Sequence, residues 1–284
     1  MTSSSLDLSA RADLQWLAEL IGDLRGSAPN VQWVIVGALA RDIHLGYAHN
    51  IALRRATTDT DVALTITQWP EFTSLRASLI DSGAFKPHAK AQHKLIHRNG
   101  RAIDIVPIGG IEDEAGIIAW PPDGAERMNV VGFKEALAGS VEVKLPLDLR
   151  TLVVSLAGLI VLKIFAWAER HASEPGRDAY DISAVLANYL DAGNEERLFS
   201  EHLDVLELAE FDWSRAGARI LGRDTAALLR ATSAEPDTLR ARMLSIIEPE
   251  TDPDRSTAMI AEAGTANAEE FRRQLLWFAS GLNE

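Results

Sequence analysis

The chain has 284 residues, 47% of them hydrophobic and 24% charged, which allows one large domain or two smaller ones, each with a substantial core. It contains no cysteine, and this excludes disulfides, Cys-ligated zinc and thiol catalysis. The formal net charge of −13 argues against general binding to nucleic-acid backbones, which depends on Lys and Arg. Residues 1–8 are polar and lack the basic and apolar parts of a secretory signal, so a cytoplasmic location is expected.

The first half of the chain alternates predicted strands and helices. Apolar periodicity, glycine turns and β-branched runs predict a helix over 9–24, a strand over 31–36, a helix over 37–46, a strand over 61–66 and a helix over 67–83. Strands over 94–97 and 102–106 flank Asn99-Gly100, a dipeptide typical of a type I′ hairpin turn. These elements predict a small mixed sheet with flanking helices.

The second half of the chain is predicted to be helical. After a short strand over 152–154, helices are expected over 156–170, 178–190, 194–208, 213–231, 236–247 and 266–282. The predicted fold class is therefore α+β, with a sheet-containing domain over 1–148 and an all-helical domain over 149–284. The apolar run 151–168 is almost long enough for a membrane span. A cation near the centre of a span costs about 2.5–3.5 kcal/mol, so Lys163 favours a buried helix of the protein core.

Three aspartates lie in or beside apolar strands. Asp59 and Asp61 enter the strand 61–66 at positions i and i+2, which project from the same face. Two carboxylates a few ångströms apart repel each other unless a proton or a cation lies between them. Asp104 is embedded in another apolar strand, where a lone charge is costly. Because Mg²⁺ prefers oxygen ligands, the three residues are candidate metal ligands. Turn capping and solvent exposure are the alternatives.

Two further charged segments are candidates for binding. The segment 86–101 has no acidic residue and carries five cationic side chains together with His88, His93 and His97; the cations are Lys86, Lys90, Lys94, Arg98 and Arg101. It is either a solvated hairpin surface or a surface that faces a polyanion.

Lys163 lies in an apolar helix and shares one face with Trp167 and Arg170. A lysine in such a position needs an anion. A nucleotide triphosphate would supply one, and so would a buried salt bridge with Asp178 or Asp181, which share a helix face at i and i+3.

The motifs resemble those of a known superfamily. Val34-Ile35-Val36-Gly37-Ala38, then Thr58-Asp59-Thr60-Asp61, then Ile103-Asp104-Ile105-Val106 are similar to the strand–turn–helix, D-x-D and third aspartate of polymerase-β-type nucleotidyltransferases. The helix carrying Lys163 and the segment Arg177-Asp178-Ala179-Tyr180-Asp181-Ile182 resemble those of AbiEii/MenT-type nucleotidyltransferase toxins of bacterial toxin–antitoxin systems. The resemblance covers roughly 30–190.

The resemblance implies a magnesium-dependent transferase that moves a nucleoside monophosphate from an NTP such as ATP to an acceptor hydroxyl. Two Mg²⁺ ions would be held by Asp59, Asp61 and Asp104, and Lys163 would be a catalytic and nucleotide-binding residue. The other implied nucleotide-binding residues are Gly37, Ala38, Arg41, Asp178 and Asp181. The implied partners are an NTP, a tRNA 3′ end as acceptor, and a cognate antitoxin, with no membrane.

Two features depart from the superfamily pattern. Ala38 stands where the superfamily usually has Ser or Gly, so a hydroxyl that would contact a phosphate is absent. The gap from Gly37 to Asp59 is long, and 44–55 is expected to form an insertion whose Arg54 and Arg55 could hold nucleotide or acceptor. Two alternatives stay open. The acidic overall charge would suit a transferase that acts on a cationic small molecule such as an antibiotic, and Ala38 leaves open an inactive nucleotide- or partner-binding module.

Overall fold

The structure is a computed structural model that describes residues 5–55, 57, 59–89, 91–248 and 253–284. Thr58 of the D-x-D motif, Lys90 of the basic segment and the first four residues lie outside this part. The chain divides into two compact units. The first, here called the sheet unit, contains Met1–Ile43 and Arg54–Ser155. The second, the helical unit, contains His44–Leu53 and Leu156–Glu284.

The sheet unit alternates strands with short and medium helices. Its elements are β1 (Leu6–Asp7), α1 (Gln15–Ser27), β2 (Val34–Val36), α2 (Gly37–Arg41), β3 (Thr60–Thr65), α3 (Trp69–Asp81), β4 (Phe85–Pro87), β5 (Lys94–His97), β6 (Ala102–Ile108), β7 (Ile117–Ala119), β8 (Arg127–Asn129), α4 (Phe133–Ala138), β9 (Val141–Lys144) and β10 (Arg150–Val153). A 3₁₀ turn over Ala12–Leu14 precedes α1, and a π-helical turn over Asp42–Tyr47 follows α2.

Within the described residues, eight strands form one mixed sheet in the order β1-β9-β10-β2-β3-β6-β5-β4, and β7 and β8 form a separate pair. The central strands β2, β3 and β6 are the most apolar, as expected of strands covered on both faces. β3 runs parallel to β6, whereas β2 and β5 run antiparallel to their central neighbours. This arrangement places the end of β2, the start of β3 and the middle of β6 side by side.

The sequence predicted the central elements of this unit and missed those near its edges. The predicted hairpin is confirmed, but its turn is not type I′: only Gly100 has a positive φ, of 88°, and its N–H donates to the carbonyl of His97. A type I turn followed by a left-handed glycine fits this geometry. The strands β1, β4, β7, β8 and β9 were not predicted, because segments of two to four residues are too short to show periodicity.

The helical unit is built around one almost fully buried helix. Its elements are α5 (Leu156–Arg170), α6 (Arg177–Asn188), α7 (Glu195–Ser200), α8 (Leu203–Leu206), α9 (Trp213–Thr232), α10 (Pro236–Ile247), α11 (Pro253–Ala263) and α12 (Ala268–Leu282). Helices α6, α9 and α10 pack around α5, which explains its nearly continuous apolar sequence. Among the described residues, no helix combines the length and apolar character required to cross a bilayer.

Several predicted bounds in the second half differ from the structure. The helix expected over 194–208 is divided into α7 and α8, and α11 was not predicted. The expected domain boundary at 148 also differs from the division of the chain, which falls after Ser155. The reason is that β10 pairs with β2 at Leu152 and Val34 and so belongs to the sheet.

Helices α9 and α12 cross at very short distance because glycines face backbone at the crossing. A Cβ atom added at Gly222 would lie 2.2 Å from the carbonyl oxygen of Phe278, and one added at Gly281 would lie 2.0 Å from that of Arg219. Any side chain at these positions therefore requires the two helix axes to separate.

We expect Gly281→Ala to destabilise the protein by about 1–3 kcal/mol or more, because the added methyl group collides with rigid backbone. Urea unfolding of the variant measures the loss. Gly26→Ala is the matched control, since a Cβ at Gly26 in α1 meets nothing within 4 Å. The control should gain up to about 1 kcal/mol from helix propensity. Equal stability of the two variants would contradict the close crossing.

Candidate active site

Three charged side chains lie in one row across neighbouring strands of the sheet. Asp61 of β3 is paired with Asp104 of β6, and Asp104 is paired with Lys94 of β5. Residues that are directly opposite each other on adjacent strands project from the same face, and neighbouring strands are about 4.8 Å apart. The sheet therefore places two carboxylates and one ammonium group side by side.

The two oxygens of Asp104 have different surroundings. Oδ2 accepts a hydrogen bond from the Lys94 ammonium group at 2.8 Å. Oδ1 is buried and has no hydrogen-bond partner among the described residues. A buried carboxylate oxygen without a donor is costly, so this atom is an acceptor that a cation or a donor from a bound molecule would satisfy.

Lys94 interacts with all three predicted aspartates. Partial burial of the amine acts to lower its pKa, but the hydrogen bond from Lys94 to Asp104 and the negative charges of Asp104, Asp59 and Asp61 together raise the pKa of Lys94 above its ordinary value. The direction of this shift follows from opposite charges in proximity. Asp59 precedes β3, so the D-x-D motif and the third aspartate act on the same ammonium group.

Gly37 lies against the carboxylate of Asp61. Its φ is 69°, in the region that favours glycine, and a Cβ atom built there would lie 2.0 Å from Oδ2 of Asp61. No other residue fits this position without moving the aspartate. Gly37 and Ala38 begin α2 directly after β2, so backbone N–H groups of the first helical turn lie next to the acidic row.

The donor set suits magnesium, because carboxylate oxygens are its preferred ligands and it commonly takes only one or two of them together with substrate phosphates and water. The orphaned Oδ1 of Asp104 and the glycine backbone against Asp61 fit such an ion. Within the described part of the chain, no three acidic or histidine side chains form a ready ligand set. The side chains thus fit an ion that is bound together with its substrate.

Arg41 was predicted to add positive charge at the phosphates, and its contacts describe a different arrangement. Its guanidinium group is buried, donates to Oδ1 of Asp42 and donates to the carbonyl of Arg55 at 2.8 Å. The other carboxylate oxygen of Asp42 accepts from the backbone N–H of Thr57 at 3.1 Å. These contacts tie α2 to the chain that leads into Asp59, which fits a positioning role.

Lys163, Asp178 and Asp181 lie in the helical unit and form a buried ion-pair network with Arg170. The Lys163 ammonium group is 2.9 Å from Asp178 and 2.5 Å from Asp181. Arg170 donates to both oxygens of Asp178, at 2.7 Å and 2.9 Å. Burial acts to raise the pKa of Asp178, but the charge of Lys163 and the hydrogen bonds from Arg170 lower it to about 2. Both aspartates that the sequence offered as partners of Lys163 therefore bind it.

The sequence suggested that the cations of the basic segment 86–101 have no partners, but three of them have partners in the structure. Lys94 is paired with Asp104, and Arg98 is 2.9 Å from Asp23 of α1. The guanidinium carbon of Arg101 lies 3.7 Å above the ring of Trp16. Asp104 lies across the same hairpin, whereas Asp23 and Trp16 on α1 are far away in sequence. Less cationic surface is left for a polyanion than five cations imply.

Lys94 is the site residue that sequence reasoning missed. It was assigned to a surface segment, and the predicted two-residue turn at Asn99-Gly100 would pair it with Ile105. The turn in the structure is one residue longer, which pairs Lys94 with Asp104 and brings it to the face of the carboxylates.

The low pKa of Asp178 predicts an acid-dependent loss of stability. The carboxylate titrates at 3.8 ordinarily and at about 2 in the folded protein. The ionised Asp178 contributes about 2 kcal/mol to the free energy of unfolding. This contribution is fully present above pH 3.8 and is lost as the pH falls through about 2. The measurement is the free energy of unfolding in urea from pH 5 to pH 2, for the wild type and for Asp178→Asn. We expect the difference between the two proteins to shrink across this window. A constant difference would contradict the assignment.

The chain was compared with known proteins in sequence and in structure. No curated protein sequence matches the chain. Two solved structures of the antibiotic-resistance factor ANT(2'')-Ia show a weak similarity. One is a solution structure with 15% identity, 68% of this chain and 95% of the other covered, and a TM-score of 0.38. The other is a crystal structure with adenylyl-2''-tobramycin. It has 16% identity, 67% of this chain and 98% of the other covered, and a TM-score of 0.39.

A family model described as "Nucleotidyl transferase AbiEii toxin, Type IV TA system" matches residues 22–275, well beyond the 30–190 that the motifs covered. Since this match includes most of the chain, the chain belongs to the AbiEii nucleotidyltransferase family.

Proposed function

We propose that this nucleotidyltransferase requires magnesium and uses Asp59, Asp61 and Asp104 as its metal ligands. The observation that carries the proposal is the pairing of Asp61 with Asp104 on adjacent strands, with the backbone of Gly37 against Asp61. Two carboxylates on one face of the sheet would hold a magnesium ion, which would supply positive charge for the triphosphate. Family membership supports the class of reaction, and the side-chain geometry supports the ligands.

The reaction is an in-line displacement at the α-phosphorus. The acceptor oxygen forms a bond to phosphorus, the bond to the bridging oxygen breaks, pyrophosphate leaves and the hydroxyl proton is released. When bound, magnesium supplies positive charge that stabilises the attacking and leaving oxygens. Asp59, Asp61 and Asp104 hold and orient this charge. The backbone N–H groups of Gly37 and Ala38 donate to phosphate oxygens, which replaces the hydroxyl that Ala38 lacks.

Lys163 is proposed to bind a phosphate of the nucleotide, with Asp178 and Asp181 positioning its ammonium group. The observed network also fits a purely structural role for Lys163, because Asp178 and Asp181 neutralise its buried charge. The two roles differ in one respect: only the first predicts that nucleotide affinity depends on Lys163 after the charge balance of the network has been restored.

Two acceptor classes follow from different observations. The resemblance to toxins favours a tRNA 3′ end, with an antitoxin as cognate partner. The net charge of −13 and the pairing of Lys94 and Arg98 within the sheet unit favour a cationic small molecule such as an aminoglycoside. Incubation with labelled NTPs, total RNA and a panel of aminoglycosides separates them by the product that carries label. A steep salt dependence of binding marks the RNA case.

We expect Asp61→Asn and Asp104→Asn to reduce nucleotide transfer by at least about 100-fold, because each removes a charge at the site of phosphate chemistry. Transfer is measured with labelled NTP at saturating Mg²⁺. Asp81→Asn is the control, since Asp81 is an exposed aspartate at the end of α3. Transfer at wild-type rates by both site variants would refute the metal ligands. Binding of Mg²⁺ and NTP by the wild type without any product would favour an inactive binding module.

We expect Lys163→Met to destabilise the fold by about 3–5 kcal/mol, because two buried carboxylates lose their shared cation. The double variant Lys163→Met/Asp181→Asn leaves Arg170 paired with Asp178 and should recover much of this stability. If Lys163 binds phosphate, the folded double variant binds NTP about 10–100-fold more weakly than the wild type. Asp181→Asn alone serves as the reference for calorimetric titration. Unchanged NTP affinity would assign Lys163 to the structural role.

A further inference from the structure

We propose that Lys94 is a built-in counter-ion of Asp59, Asp61 and Asp104, and that its positive charge competes with magnesium for these carboxylates and lowers the affinity of the site for the metal. The inference rests on the proposed function, since it concerns the same three aspartates. It assigns Lys94 a role opposite to that of a ligand: its positive charge competes with the metal.

The sheet fixes the position of Lys94. Its backbone is directly opposite that of Asp104, so the side chain reaches the carboxylate without leaving the strand register. The ammonium group is 2.8 Å from Oδ2 of Asp104. Oδ1 of the same carboxylate is buried and has no partner among the described residues. A cation bound by Asp104 would therefore lie close to the Lys94 ammonium group whichever carboxylate oxygen it contacts.

Lys94 also competes with a metal ion for Asp59 and Asp61. Asp59 and Asp61 attract the same ammonium group that Asp104 binds. A divalent ion held by these carboxylates would lie within a few ångströms of Lys94, where like charges repel strongly. The three carboxylates outnumber Lys94, so the row remains negative and still attracts a divalent ion. Lys94 thus lowers the affinity for metal without closing the site.

The chemistry of lysine allows its departure. The ammonium group is a compact charge on a flexible four-carbon stem, and the side chain of Lys94 is 29% exposed. The ammonium group of Lys94 can therefore turn toward solvent, and Asp59, Asp61 and Asp104 would then be the residues that hold the metal.

The test is the affinity for Mg²⁺ alone, measured by isothermal titration calorimetry and by the Mg²⁺-dependent shift of Tm, without nucleotide or turnover. In Lys94→Met, we expect Mg²⁺ to bind at least about tenfold more tightly than in the wild type, because a repelling charge has been removed. The same variant should have a lower Tm in EDTA, where its carboxylates lack a counter-ion. Lys94→Gln removes the charge but keeps a hydrogen-bond donor, and it replaces Lys94→Met if the latter does not fold.

Lys86→Met is the matched control. Lys86 is on the adjacent strand β4, is exposed, and its loss changes the net charge of the chain equally. Its Mg²⁺ affinity should equal that of the wild type. Unchanged or weaker binding in both Lys94 variants, with clear binding by the wild type, overturns the competing role and leaves the metal site intact. Absence of Mg²⁺ binding in wild type and Lys94 variants alike, both alone and with a non-hydrolysable NTP analogue present, overturns both the inference and the proposed metal ligands.

Discussion

The central constraint on the sheet unit is that carboxylates of like charge lie next to each other on adjacent strands. Asp61 and Asp104 are paired across β3 and β6, at the separation of neighbouring strands. An arrangement of this kind persists only if positive charge accompanies it. Lys94 supplies that charge from β5, and the location of Gly37 follows from the same constraint, because its missing side chain leaves the space that the carboxylate of Asp61 occupies.

The helical unit also contains two neighbouring carboxylates, and it neutralises them with two cations of its own. Lys163 and Arg170 on α5 neutralise Asp178 and Asp181 on α6, and the network is buried among apolar helices. Every hydrogen-bonded ion in such a network stabilises its neighbours, so loss of one member leaves another uncompensated. The acidic row of the sheet unit differs because one oxygen of Asp104 has no partner among the described residues. The charges around Lys163 balance one another, whereas Asp104 keeps an acceptor that a ligand would satisfy.

The sequence predicted the central strands, most of the long helices and the family, because each of these has a local signature. D-x-D, an aspartate within an apolar strand and a turn glycine are visible in short windows. The partners of Arg98 and Arg101 are not, since Asp23 and Trp16 are more than seventy residues away. The edge strands were missed because their segments are too short to show periodicity. The contacts that join Arg41 and Asp42 to the backbone of Arg55 and Thr57 were not predicted, because they depend on how the chain after α2 folds back.

The length of the loop that joins β5 to β6 determines which side chains of β5 face Asp104. Lys94 and Asp104 face the same side because the number of residues between them closes the turn at Gly100 in one register. Insertion or deletion of a single residue in this loop would slip the pairing by one position, and every side chain of β5 would exchange its face of the sheet. Leu95 would then meet the charged row and Lys94 would enter the apolar core. The length of this loop therefore decides whether Lys94 reaches Asp104.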